Sequence, residues 1–277
     1  MSITKIKSPA KINIGLNIVS KRSDGFHNIE TIFYPVSLCD YISIENSDAF
    51  HFTCNDKLLE NDTNNLITRA KNIIENRFNL KADLHIDLQK NIPIGAGLGG
   101  GSSNAAVILK ALSIIYKLGL SEKELESIGL ELGSDVPFFI KGQPVFAESR
   151  GELFKPIDLE IQKPILIVNP GIHISTRLAY ENIKPKAAEF PLYNISHDNL
   201  NIECWKDKIF NDFEDFAFSA FPKVKDVKDK MYELGAVFSL LSGSGSSVFG
   251  IFNTLDSAKK AESYYAGDYF THISYPL

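Results

Sequence analysis

The segment Pro93-Ile94-Gly95-Ala96-Gly97-Leu98-Gly99-Gly100-Gly101-Ser102-Ser103 holds five glycines and two serines in eleven residues, and a largely apolar run from Ala105 to Tyr116 follows it. Glycine admits positive φ and lets a ligand approach with no Cβ in the way. Successive backbone N–H groups in such a turn form a concavity for an anion, and the next helix adds the positive end of its dipole. Residues 93–103 therefore predict a phosphate cradle. A Walker A loop is excluded, because no glycine of the chain is followed by lysine. Gly95, Gly97 and Gly100 fit GxGxxG, but a dinucleotide unit needs a strand next and an acidic residue about 20 positions on. Here Ser121-Glu122-Lys123-Glu124 is a capping-box signature that opens a second helix instead. The plain alternative, a glycine linker, fits poorly between the alternating Leu84, Ile86 and Leu88 and an apolar helix.

Four other segments carry chemistry-bearing side chains, each with a bland reading beside it. Pro9-Ala10-Lys11-Ile12-Asn13 puts Lys11 and Asn13 on the polar face of an apolar strand. It reads as a solvated strand end or as a fixed cation for phosphoryl oxygens. Gly133-Ser134-Asp135-Val136-Pro137 reads as a turn, or as a carboxylate held beside apolar residues for proton transfer. In Asp24-Gly25-Phe26-His27, His27 is a structural histidine or a reader of a planar ring's edge. Ser242-Gly243-Ser244-Gly245-Ser246-Ser247 is a hairpin turn or a third ligand loop, and six residues exceed what a minimal turn needs. No histidine pair has metal-ligand spacing, and GxSxG, HRD and DFG signatures are absent.

The elements that must position these residues are a mixture without strict βαβ alternation, which predicts an α+β fold. Strands are expected over 5–19, 31–36, 41–45, 82–88, 138–140, 145–147, 164–170, 237–241 and 248–252. Helices are expected over 64–78, after the glycine loop, from Ser121, over 223–234 and over 257–265. A boundary near Lys155-Pro156 divides the chain into domains 1–155 and 156–277, and the polar, proline-punctuated residues 181–203 offer little to place. With 277 residues, 44% of them hydrophobic, the chain can build cores for both. A net charge of −5 gives no general attraction to nucleic acid or an anionic membrane. Three scattered cysteines match neither a disulfide framework nor a metal knuckle and point to a reducing compartment. The first residues lack the long apolar core of a signal peptide, and no apolar run approaches the roughly 18 residues of a membrane span. A cytoplasmic protein is expected.

Taken in order, Pro9–Asn13, Arg22–His27, Gly97–Ala105, Gly133–Phe139 and the Ser242–Ser247 loop resemble the motifs of the GHMP kinases, whose members phosphorylate small alcohols. The resemblance runs from about residue 7 to residue 252. It is closest to the branch acting on a cytidine-diphosphate-linked methylerythritol. It implies two domains with the active site between them. The N-terminal domain would be ATP-binding and like the second domain of ribosomal protein S5, and the C-terminal one substrate-binding and ferredoxin-like. The implied reaction uses ATP and Mg2+ and a small-molecule substrate, with no nucleic-acid or membrane partner. By position, Asp135 would accept the hydroxyl proton. Lys11 would orient Asp135 and the hydroxyl and offset charge on the moving phosphoryl. Residues 93–103 would hold the ATP phosphates. His27 would bond the cytosine edge, with Phe26 stacking on one side of the base and Tyr180 on the other. Asn13 would contact the erythritol end. Phe26 stands where the family often has tyrosine, which keeps the ring face and loses the hydroxyl. Metal ligands and oligomeric state are not assigned.

Overall fold

The structure, a computed structural model, describes residues 2–188, 190–197 and 201–275. The chain forms two compact units. The first comprises Met1–Ala10, Cys39–Ile94 and Gly99–Gln143; the second comprises Lys11–Leu38, Gly95–Leu98 and Pro144–Leu277. Two twenty-residue strands, β1 (Ser2–Lys21) and β2 (His27–Asn46), are each divided between them.

In the first unit β3 (His51–Cys54) lies parallel to β4 (Leu84–Gln89), and β4 lies antiparallel to Tyr41–Asn46 of β2. β4 alternates as expected, with Leu84, Ile86 and Leu88 buried. Its helices are α1 (Lys57–Glu60), α2 (Leu66–Phe78), α3 (Gly100–Ile115), α4 (Glu122–Leu132) and α5 (Phe138–Lys141). α3 touches α2, α4 and α5 and buries most of its length, so the helix behind the glycine loop is the axis of this unit. The Ser121–Glu124 capping box forms: Glu124 N–H donates to the Ser121 hydroxyl, and Ser121 N–H donates to the Glu124 carboxylate at 2.8 Å.

In the second unit β5 (Val145–Glu148) pairs with β6 (Leu153–Pro156) and with Thr31–Phe33 of β2. A separate antiparallel sheet is built from β7 (Ile165–Asn169), β8 (Ala236–Leu241), β9 (Val248–Phe252) and β10 (Phe270–Ser274), in the order β10-β7-β9-β8. The helices α6 (Thr176–Glu181), α7 (Asn194–His197), α8 (Glu214–Ala220) and α9 (Pro222–Glu233) fall between β7 and β8, and α10 (Leu255–Tyr265) falls between β9 and β10. Fourth, first, third, second, with helical crossovers after the first and third strands, is the ferredoxin-like arrangement expected of this half. Val224, Val227 and Met231 of α9 and Ala258 and Ala261 of α10 join Leu166, Val168 and Val248 in its core.

Several expectations are corrected. Residues 31–36 and 41–45 belong to one strand, β2, because Ser37 and Asp40 interrupt the apolar pattern without interrupting the backbone. Residues 138–140 form a helical turn, α5, between Pro137 and Gly142; a three-residue apolar run cannot distinguish strand from helix. α3 begins at Gly100, so the last glycines and Ser102-Ser103-Asn104 lie inside the helix rather than before it. Strands β3, β6 and β10 have no clear signature in the sequence. Within 181–203, α7 and the start of a 3-10 turn (Ile202–Asp207) are formed, and residues 189 and 198–200 lie outside the described residues. Among the described residues no helix is long and apolar enough to cross a membrane.

Candidate active site

Three segments far apart in sequence meet within the second unit. Lys11 and Asn13 sit on β1, both almost wholly buried, so the reading of Lys11 as a solvated strand end does not hold. Lys11 Nζ donates to Asn13 Oδ1 at 2.5 Å and to the Gly97 carbonyl at 3.3 Å, and lies 5.0 Å from the centre of the Phe33 ring. Asn13 Nδ2 donates to Thr31 Oγ1 at 2.9 Å, and that hydroxyl donates to the Gly15 carbonyl at 2.6 Å. Ser242 Oγ accepts from Asn13 N–H at 3.3 Å and donates to the Gly97 carbonyl at 3.0 Å. Ser247 N–H donates to the Ala96 carbonyl at 3.2 Å. Residues 11–13, 95–98 and 242–247 thus converge, as the motif spacing alone could not establish.

The 242–247 segment is literally a hairpin connection, since β8 and β9 are antiparallel neighbours. Yet Ser242, Ser246 and Ser247 are completely buried, whereas a plain hairpin tip is exposed. Two side chains that sequence reasoning passed over hold it. Asn211 Nδ2 donates to the carbonyls of Leu241 and Gly243, each at 2.8 Å. Asn169 Nδ2 donates to Ser247 Oγ at 3.0 Å. The only local signal for Asn169 is a polar residue closing an otherwise apolar strand; Asn211 has none.

The exit of the glycine loop belongs to the first unit. Ser103 N–H is bonded to the Gly99 carbonyl at 2.9 Å, so the N–H groups of Gly100, Gly101 and Ser102 lead the helix and lie outside its i→i−4 ladder. A helix N-terminus of small residues fits the phosphates of ATP. Ser103 itself is fully buried and accepts from Ser8 Oγ at 2.8 Å, which turns it inward. Among the described residues no group of three or more His, Cys, Asp or Glu side chains could hold a metal ion.

Asp135, half-buried, also belongs to the first unit, in the turn between α4 and α5. Val136 beside it is fully buried, and Val136 N–H bonds the Gly133 carbonyl at 3.2 Å. A Cβ on Gly129 of α4 would come within 2.9 Å of Val136 Cγ1, so glycine lets the turn seat closely on that helix. From α3, Lys110 Nζ donates to the carbonyls of Phe139 and Ile140 at 3.1 and 3.2 Å. One helix therefore follows the glycine loop at its start and fixes the Asp135 turn from its middle.

In the second unit His27 lies flat against Tyr180, with centroids 5.0 Å apart and planes inclined by 17°. That is the spacing of directly stacked rings, so one face of Tyr180 is taken by His27. Burial, reinforced by Lys21, holds the His27 imidazole below its ordinary pKa, so it is neutral at pH 7 with one nitrogen donating and one accepting. Phe26 is half-exposed, and the Arg150 guanidinium covers its ring at 4.5 Å. Arg22 fixes the turn, pairing with Asp24 at 3.0 Å and donating to Asn28 Oδ1 and Ser149 Oγ, both at 3.0 Å. That pairing pulls the Asp24 carboxyl below its usual range.

Residues 65–143 match the description "GHMP kinases N terminal domain" and residues 196–270 match "GHMP kinases C terminal". Together with the relatives that follow, this shows that the chain belongs to the GHMP kinase family, and it is a kinase that uses ATP. A relative from Azobacteroides pseudotrichonymphae is 43% identical over 88% of this chain and 91% of its own length. One from Parabacteroides distasonis is 44% identical over 88% and 89%. Both are named 4-diphosphocytidyl-2-C-methyl-D-erythritol kinase. A crystal structure of 4-(cytidine 5'-diphospho)-2C-methyl-D-erythritol kinase, 32% identical, superposes over 100% of this chain and 99% of that one with a TM-score of 0.84.

Proposed function

We propose that this protein transfers the γ-phosphate of ATP to the 2-hydroxyl of 4-diphosphocytidyl-2-C-methyl-D-erythritol, a step of the non-mevalonate route to isoprenoid precursors. The relatives' names support the substrate. The structural observation that carries the reading is the junction of Lys11, Asn13, Gly97 and Ser242, which ties a buried cation to the phosphate loop.

Phosphoryl transfer asks mainly for positioning and charge stabilisation, with one carboxylate for the proton. The loop of residues 93–103 holds the ATP phosphates through its free backbone N–H groups. Lys11 offsets charge on the moving phosphoryl, and Asp135 accepts the proton of the attacked hydroxyl. Mg2+, for which no residue of the chain is assigned, would enter with ATP and would supply charge neutralisation at its phosphates. Asn13 contacts the erythritol part, while His27, Phe26 and Tyr180 read and stack the cytosine. Residues 1–155 carry the ATP loop together with Lys11, Asn13, Phe26, His27 and Asp135, residues 156–277 add Tyr180, and the setting is cytoplasmic.

His27→Ala is expected to raise KM for the cytidyl substrate while leaving KM for ATP nearly unchanged. Steady-state kinetics with each substrate varied in turn measures this, and equal effects on both would remove the cytosine-reading role. The reading as a whole is tested by ADP release with ATP, Mg2+ and the cytidyl alcohol, beside homoserine and mevalonate. Release with the cytidyl alcohol alone is expected. Release with another alcohol would make the protein a different GHMP kinase. ATP binding with no release would make it a nucleotide-binding module.

A further inference from the structure

We propose that Asp40 is a positioning residue for ATP: a single buried carboxylate that ties the entrance of the phosphate loop to its exit. The proposal rests on the reading of residues 93–103 as the ATP loop.

Asp40 lies in the middle of β2 and is completely buried. Its Oδ1 accepts the N–H groups of Asn91 and Ile92, each at 2.8 Å. Those are the last two residues before Pro93. Its Oδ2 accepts Lys90 Nζ at 2.8 Å and Asn104 Nδ2 at 2.9 Å. Asn104 is in the first turns of α3, immediately after Ser103. Four donors fill the acceptor sites of an ionised carboxylate. All of these groups belong to the first unit.

The partners are themselves fixed. Lys90 Nζ also donates to the Ile92 carbonyl, and Asn55 grips the Lys90 backbone from both sides, at 2.7 and 3.1 Å. A Cβ on Gly100, the first residue of α3, would come within 3.0 Å of Lys90 Nζ. Asn104 Nδ2 also donates to Ser8 Oγ at 2.9 Å, and Ser8 Oγ donates to Ser103 Oγ at 2.8 Å. Burial pushes the Lys90 ammonium below its ordinary pKa, and Asp40 opposes that shift.

A buried ion pair is weak evidence for stability, since desolvation offsets much of the attraction. What this arrangement fixes is geometry. A loop rich in glycine has little rigidity of its own, and phosphate contacts made through its amides depend on where its two ends stand. Displacements of about 1 Å remote from the chemistry can cost about 10²-fold.

The test uses the full chain carrying Asp40→Asn. The amide keeps the volume and one acceptor, but turns an NH2 toward two donors, Lys90 and Asn104. ATP affinity by titration calorimetry is expected to fall about 10- to 100-fold, with KM for the cytidyl alcohol within about twofold of wild type. If the melting temperature falls but ATP affinity does not, Asp40 supports the unit and nothing more, and the proposal is overturned. Should Asp40→Asn not fold, Asn104→Leu removes the tie of the carboxylate to the exit of the loop with the carboxylate itself intact. ATP affinity lowered by about 3- to 10-fold is then expected, and wild-type affinity overturns the proposal. Failure of the wild-type protein to bind ATP would instead overturn the reading of the loop.

Discussion

Asp135→Asn is expected to lower kcat by about 10²- to 10⁴-fold while ATP binds as it does to wild type. The substitution preserves the side chain's volume and shape while removing its charge and its capacity to take a proton. Its surroundings should hold the amide in place. Val136 is buried beside it, the turn closes on the Gly133 carbonyl, and Lys110 anchors the carbonyls of α5. The glycine loop proposed to hold ATP stands at the start of α3, away from the Lys110 contact, which is why ATP affinity should survive. Single-turnover rates and ATP titration on the same preparation separate the two quantities. The size of the loss is itself informative. A transition state with little bond formation to the nucleophile needs its proton removed late. A loss under about tenfold would mean that the carboxylate contributes placement of the hydroxyl rather than proton transfer. Unchanged turnover would remove Asp135 from the mechanism, and lost ATP binding would assign the turn to the architecture of α3.

How far the site was legible follows from the range of the interactions that make it. The Ser121 cap and the alternation of β4 are local signals, and each appears in the structure where the sequence puts it. The start of α3 was misjudged because glycine and serine are poor helix formers; packing of the helix against α2, α4 and α5 overrides that preference. β2 was divided for a related reason. Ser37 and Asp40 look like a break, but Ser37 N–H donates to Ser274 Oγ of β10 at 2.8 Å, and Asp40 is filled by four donors. A polar residue inside a strand is a defect in pattern until its partners are known, and these partners are 237 and at least 50 residues away. The same holds for Asn211, whose importance lies in two carbonyls about 30 residues on. Lys11 was legible as a residue but not as a buried one, because burial depends on Gly97 and Ser242 arriving from elsewhere in the chain.

Gly97→Ala should abolish most of the activity, with kcat/KM reduced by about 10²-fold or more. Gly97 has φ of +77°, where an L residue is strained by roughly 1–2 kcal/mol. Strain alone would be tolerable. The larger effect is steric, since an added Cβ would run into the backbone carbonyl oxygen of Ser242. That carbonyl has little freedom to retreat. Ser242 is completely buried, its N–H is bonded to the Ser247 carbonyl at 2.9 Å, and Asn211 grips the flanking carbonyls of Leu241 and Gly243. The loop must then move instead, and the Gly97 carbonyl that receives both Lys11 Nζ and Ser242 Oγ moves with it. Gly119→Ala separates the two contributions. Gly119 has φ of +66° with nothing within 4 Å of an added Cβ, so it carries the strain without the collision. Similar small losses of thermal stability from strain in both variants, with kinetics impaired only in Gly97→Ala, would locate the effect in the junction of Lys11, Gly97 and Ser242. Wild-type kinetics in Gly97→Ala would mean that the loop reaches its working geometry without that junction, and would remove the support it gives to the role proposed for Lys11.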